Sequence, residues 1–528
     1  MQQLQETYSV CGGARGIVAL RKMLYSDVGD VDDSQSCASD VSLEQGLLAK
    51  PHTEQHRMSH LTLAGLTLLV GTGVLQYGFH AAYTSANESA IIHAAAISKQ
   101  DYGVFVAMLT LGAMFGSLIA AAAAEILGRK QALLLASVPA LLGLFLMLLF
   151  DAVPVFSLLV SGRFFVGIGT GMFSALVPLY ISEVSPDHLR GFFGSFTQLL
   201  LTGGVLLANI LGLWNLRTSN AWFYILLVSC FVLGTLTVAL TFIPESPKWM
   251  LLKGESELVR MTLRLIRPRY WDVDNEIASF RSENRSSTSI SEVKAYLSSW
   301  RVVWLIIVSV LIQVFKQGTG VSVIIAYSTE ILKRDSMSMN YRDALIASVF
   351  VSVINLVSNM VALLFVDKLR RKTILTTSMS LMLISLIALS FLPMISGECN
   401  CSHAEAVLIS FYIAFFSLGI GPVSWLICPE LLPLPVRAIG LSLSVLANWA
   451  FAFLTSLTFD WITSRYSNQG FFVIYAGFTF VGLLFVIFCV PETGMGKSLE
   501  SLEEDLLGPE TRQGIRHSFE KQTLIVTS

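Results

Sequence analysis

Seven side chains able to donate or accept hydrogen bonds stand inside long apolar runs of this chain: His80, Gln198, Lys316, Gln317, Ser322, Asn355 and Trp425. Their types suit recognition rather than covalent chemistry. No nucleophile stands with a base, and no Cys, His, Asp or Glu group has metal-ligand spacing, so neither an enzyme nor a bound cofactor is expected. Amides both donate and accept, which matches a neutral, hydroxyl-rich solute, while a charged site costs more desolvation than such a solute returns. Gln198 and Asn355 read as solute contacts, or else as glue between helices. Trp425, beside Gly421 and Pro422, reads as a flat plate for a solute or as a plug at a hinge. Lys316 needs a reason, because a charge at bilayer depth costs about 2.5–3.5 kcal/mol or more. It faces an acidic solute, lines a wet cavity and donates to hydroxyls, or snorkels from a shallow position.

The elements that would hold these residues are membrane helices. Of 528 residues, 54% are hydrophobic and 14% charged, against about 25% charged in soluble domains. A helix crosses a bilayer in about 20 residues. Twelve such runs are present, roughly 61–83, 101–124, 131–150, 154–181, 192–213, 221–243, 301–327, 343–366, 373–393, 405–428, 436–461 and 469–490. Backbone groups in lipid must be paired internally, so these runs are helices and the fold is all-α. The expected organisation is a disordered cytosolic tail over 1–60 and a six-helix bundle over 61–243. A helical cytosolic linker over 244–300, a second bundle over 301–490 and a cytosolic tail over 491–528 follow. Arg129, Lys130, Lys368, Arg370, Arg371 and Lys372 mark one side as cytosolic, although Lys333, Arg334 and Arg342 fall opposite. Both termini are then cytosolic, with the plasma membrane as the expected location. The sequons at Asn87 and Asn400 fall outside as glycosylation candidates, while that at Asn284 falls inside. Cys399 and Cys401 read as loop thiols, and a net charge of −2 without a basic stripe gives no sign of nucleic acid binding.

The chain repeats itself. Glu183-x-x-Pro186-x-x-x-Arg190 recurs as Glu430-x-x-Pro433-x-x-x-Arg437, and Pro244-Glu245-Ser246 as Pro491-Glu492-Thr493, both shifted by about 247 residues. Glu125-x-x-Gly128-Arg129-Lys130 is echoed by Asp367-x-x-Arg370-Arg371-Lys372. Two related halves around a midplane site is the layout in which one half rocks against the other. Glu125, Arg129, Glu183, Arg190, Glu245, Asp367, Arg371, Glu430, Arg437 and Glu492, with Arg163 deeper in its span, form a candidate gating network. These charges are expected to pair across the halves when the cytosolic side is shut. Exposed pairs are worth about 0–1 kcal/mol each, which suits an element that a solute must shift.

Several motifs then carry a resemblance. The string GRFFVGIGTG from Gly162 to Gly171, Pro178 to Glu183, PESPKWML from Pro244 to Leu251, Gly421-Pro422-Val423-Ser424-Trp425 and the stretch from Pro491 to Glu500 stand in order. From about 60 to 505 the chain resembles the sugar porters of the major facilitator superfamily, in particular the facilitative glucose transporters. The resemblance implies a major facilitator fold and facilitated diffusion of a hexose or related polyol by alternating access. It also implies sugar contacts at Gln198, Gln317, Asn355 and Trp425, with Asn448 and Trp449 matching too. Gly167, Gly169 and Gly171 read as close helix packing.

The departures concern one polar shell. The family's Gln-Gln is Lys316-Gln317 here, its following Asn is Ser322, its Glu in the tenth span is Ser417, and a further Asn is Ala452. Altered polar groups should alter the solute. His80 stands where proton-coupled relatives carry Asp and glucose facilitators carry Asn, which disfavours proton symport. It reads as a neutral histidine bonded to a neighbour or as a source of mild pH sensitivity. A carrier of small organic acids using Lys316 and a sensor that binds without carrying remain the alternatives.

Overall fold

The computed structural model describes residues 52–493 apart from 187–188, 219, 269–270, 286–289, 335–339, 367 and 397–401. Twelve helices are long and apolar enough to span a membrane: α1 (Thr62–Ala95), α2 (Lys99–Ile126), α3 (Arg129–Leu149), α4 (Phe156–Val184), α5 (Phe196–Leu216), α6 (Ala221–Leu240), α7 (Trp300–Lys333), α8 (Tyr341–Phe365), α9 (Arg371–Leu392), α10 (Ala404–Leu431), α11 (Pro435–Tyr466) and α12 (Gln469–Cys489). No strand occurs among the described residues. The fold is a major facilitator fold of two six-helix halves. Large apolar side chains such as Phe231 (77% exposed) and Phe488 (80% exposed) point outward, as lipid requires.

Twelve crossings return the chain to the side on which α1 began. That side is here the terminal face, and the other the far face. On the terminal face, four short helices, Pro247–Leu252, Ser256–Ile266, Val273–Arg285 and Ile290–Leu297, link the halves. Arg267, buried among them, donates to Glu276 (2.7 Å) and to the Val184 carbonyl (2.8 Å), docking the linker on the end of α4.

Packing within the first half depends on close backbone approach. A Cβ on Gly167 of α4 would lie 3.0 Å from the Gly112 Cα of α2, so both helices need glycine at the crossing. The halves meet through α1 against the second part of α7, α2 against α11, and α5 against α8.

Two helices break at mid-depth. α7 stops at Gly318 and resumes at Val321, with Gly320 at φ +87° in the left-handed region. A Cβ there would also meet the Tyr475 ring at 2.8 Å. α10 breaks at Gly419, where the Ser378 hydroxyl accepts from the Ile420 N–H (3.1 Å).

The first helix departs from the hydropathy reading at both ends. It starts at His52 and runs to Ala95, well past residue 83. Residues 84–95 are too polar for lipid, and the first turn of them is covered by protein, with Thr84, Ser85 and Asn87 all buried. The rest of the two expected tails, and the expectations for Asp367 and Asn400, lie outside the described residues.

Candidate functional site

Gln317 is the last residue but one before the α7 break, and its amide bridges the break and α11. It donates to the Asn448 side-chain oxygen of α11 (2.9 Å) and accepts from the Ser322 hydroxyl (2.6 Å). A second pair lies nearby in sequence logic and in the same half. Asn355 of α8 accepts from Ser417 of α10 (2.7 Å) and from the Asn359 amide (3.0 Å). These amides are buried and neutral; Gln317 is bonded through both its nitrogen and its oxygen, whereas Asn355 is bonded through its oxygen. Gln313, one turn before Lys316, was not singled out by sequence. It donates to the Ser424 carbonyl (3.2 Å) and so ties α7 to the region of Trp425.

Lys316 does not snorkel. It is 6% exposed, and its ammonium lies 4.3 Å from the centroid of the Trp425 ring. A desolvated cation–π contact is worth about 2 kcal/mol, less than the about 2.5–3.5 kcal/mol cost of a charge at bilayer depth. Trp425 is 39% exposed. Gln198 on α5 is half-buried, and none of the described hydrogen bonds uses its amide; the structure does not join it to the Gln317 set.

His80 belongs elsewhere. It is 2% exposed on α1, its Nε2 lies 3.0 Å from the Ser229 hydroxyl of α6, and its carbonyl accepts from Arg163 (2.6 Å). Gln76 completes the group through two bonds with Ser229. His80 is thus bonded to a neighbour inside the first half and does not stand with the amides. Arg163 likewise is not part of a charge network at the terminal face. It lies two turns from the far end of α4, covered by the Phe105 and Tyr83 rings (5.3 and 5.8 Å), with Nε and Nη1 lacking acceptors among the described residues.

The charged repeats do converge on the terminal face, in two matching clusters. In the first half Arg129 makes a two-pronged pair with Glu183 (2.8 Å for each contact), and the Ser246 hydroxyl donates to the same carboxylate. Glu245 caps α3, accepting from the Arg129 and Lys130 N–H groups (2.8 and 3.1 Å). Burial pushes its carboxyl up, against the pull of those main-chain donors. In the second half Arg371 pairs with Glu430 (3.4 Å) and Thr493 donates to it (2.6 Å), reproducing Arg129, Glu183 and Ser246 position for position. Arg437 folds back on the Leu432 carbonyl (3.1 Å), and Glu492 is half-buried beside Thr493. The Glu125 side chain is exposed; only its carbonyl takes part, accepting from Trp249 (3.1 Å). Arg190 lies among the residues whose side chains are not described. Each of these two clusters staples helices of its own half.

Bonds between the halves cluster toward the far face instead. The Ser85 hydroxyl meets Ser328 (2.7 Å) and Thr329 (3.0 Å) and accepts the Thr329 N–H (3.0 Å). Thr84 donates to Ala326, Tyr341 to the Ala86 carbonyl (2.9 Å), Asn209 to Ser352 (2.7 Å), and Lys99 pairs with Glu330. These hydrogen bonds and this ion pair hold that face closed. Asn87 is inside this region. It is fully buried, donates to the Tyr83 carbonyl (2.7 Å) and accepts from Asn215 (2.8 Å), so its amide is a packing element here and not an exposed glycan acceptor. Short hydroxyl side chains at helix ends gave no periodic signal by which sequence could have found this face.

The sequence model of a family described as sugar (and other) transporter matches residues 65–506. The chain belongs to the sugar porter family. Within it, the chain is 31% identical to Sugar transporter ERD6-like 6 of Arabidopsis thaliana, over 85% of this chain and 91% of that protein. It is 29% identical to Glucose transporter GlcP of Staphylococcus epidermidis, over 83% and 96%, and 29% identical to Facilitated trehalose transporter Tret1 of Bombyx mori, over 90% and 92%. The fold matches that of the E. coli xylose transporter XylE in a partially occluded inward-open form. There the TM-score is 0.71 at 24% identity, over 83% of this chain and 99% of that one. This is a family of multi-pass membrane transporters, not enzymes.

Proposed function

We propose that this chain carries a hexose or related polyol across a membrane by facilitated diffusion, each half rocking against the other. The observation that carries the reading is the neutral amide and hydroxyl shell at two helix breaks, Gln317 with Ser322 and Asn448, and Asn355 with Ser417. Relatives named for glucose and trehalose transport support the solute class. Arg163, covered by rings and a main-chain carbonyl where a symporter would pair it with a carboxylate, supports uniport over proton coupling. The far face, closed by hydroxyl and ion-pair contacts, leaves entry to the terminal face in this conformation. Arg129, Lys130, Arg370, Arg371 and Lys372 on the terminal face support a cytosolic assignment for it, hence for both termini, with the plasma membrane as the setting. The Arg129–Glu183–Ser246 and Arg371–Glu430–Thr493 clusters keep each half stiff as it moves.

The test is uptake of labelled hexoses and pentoses into proteoliposomes with no gradient but the solute's own. Saturable uptake that an imposed proton gradient does not concentrate, and that falls at least tenfold in Gln317→Ala and Asn355→Ala, supports the reading. Binding without uptake would make the chain a sensor, and accumulation against a gradient would make it a symporter.

A further inference from the structure

Buried cations in this protein are given acceptors. Arg129 has Glu183 and Arg267 has Glu276, each through two-pronged contacts, and Arg163 has the His80 carbonyl. Lys316 is different. It is as buried as the amides beside it, its ammonium rests on the Trp425 ring, and no acceptor for its three N–H donors occurs among the described residues. The side chains gathered at the two breaks, Gln317 with Ser322 and Asn448, and Asn355 with Ser417, are all neutral. The ring covers one side of the ammonium, and no described hydrogen bond or ion pair takes up its donors. A neutral polyol would meet the amides and leave the charge unmatched. A ligand with both hydroxyls and one negative charge meets both.

We infer that the preferred solute is a monoanionic sugar acid, a uronate or aldonate, whose carboxylate pairs with Lys316 while its hydroxyls meet Gln317, Asn355 and Asn448. This rests on the transporter reading above and narrows it. A single ammonium balances one charge, and no second cation stands in the shell, so a carboxylate fits better than a phosphate ester carrying nearly two charges.

The experiment is proteoliposome uptake of D-glucuronate, D-gluconate, D-glucose and glucose 6-phosphate by the wild type, Lys316→Gln and Lys316→Arg. Wild-type uptake of glucuronate or gluconate should exceed that of glucose and should rise with an inside-positive potential, because the anion carries charge. The acid-to-glucose ratio should fall at least tenfold in Lys316→Gln, about 1.4 kcal/mol of selectivity, and stay within a fewfold of wild type in Lys316→Arg. If Lys316→Gln does not fold, competition of wild-type glucose uptake by glucuronate gives the same answer. Glucose uptake that neither acid competes with, or a ratio indifferent to Lys316→Gln, overturns the inference and leaves the sugar transporter reading standing. Preference for glucose 6-phosphate overturns the choice of carboxylate. Entry of no member of the panel removes the transporter reading and the inference with it.

Discussion

Removing the Ser85 hydroxyl should unlatch the far face. In this conformation that one oxygen meets Ser328 (2.7 Å) and Thr329 (3.0 Å) and also accepts the Thr329 N–H (3.0 Å), all across the boundary between the halves. A net protein hydrogen bond is worth about 0.5–1.5 kcal/mol, and the partners regain water when the face opens. Ser85→Ala should therefore cost the closed form about 1–3 kcal/mol, a change of about 5- to 150-fold in the ratio of conformers. Ser348 is a suitable reporter, since it is 1% exposed and its hydroxyl lies 3.0 Å from that of Thr329, behind the latch. With Ser348→Cys in a background lacking the native cysteines, a bulky maleimide should label purified protein in nanodiscs faster once Ser85→Ala is added. A control at Ser161, whose hydroxyl bonds only within its own helix, should leave the rate alone. Equal labelling rates with and without Ser85→Ala would sink the idea that these hydroxyls hold the face shut.

Three further outcomes are expected. Glu183→Gln should lower thermal stability in detergent more than Glu430→Gln. The first breaks a two-pronged pair in which both side chains are 11% exposed, while the second loses a 3.4 Å contact with Glu430 23% exposed. Losing a partner of a buried pair costs at most about 3–5 kcal/mol. Equal melting shifts would refute the ranking. Gly167→Val should abolish monodisperse protein, because Gly112 of α2 stands where the new side chain must go. A normal size-exclusion profile would contradict the close crossing. His80→Asp should give Arg163 the carboxylate it lacks and make uptake respond to an imposed proton gradient, measured against His80→Asn. Identical gradient responses of the two variants would show that more than this residue separates the two transport modes.

What sequence revealed and what it hid follow from the range of the forces involved. The twelve spans were legible because lipid demands length and apolarity from each helix alone. The charge repeats were legible as a repeat, and the matching Arg129–Glu183–Ser246 and Arg371–Glu430–Thr493 clusters show that the repetition extends to the bonds. Whether those charges pair within a half or between halves was not legible, since both choices put the same residues at the same helix ends. The glycines of α7 announced the break beside Gln317. The extension of α1 to Ala95 was hidden because its polar turns are covered by α7 and α5 residues distant in sequence. The seat of His80 depends on Ser229, 149 residues away, and no local pattern encodes that contact.

The amide shell also has an uneven address. Gln317, Ser322, Asn355, Ser417, Trp425 and Asn448 all belong to the second six-helix unit. A solute held there is a passenger strapped to one of two rockers, and the first unit serves as the wall it is turned toward and away from. A compound that gripped this shell and also reached across to Tyr77, whose ring lies 5.3 Å from that of Trp449, would splint the rockers together. It would stop the cycle without needing to bind more tightly than the cargo, and drift in what is carried can proceed on one rocker while the other keeps its shape.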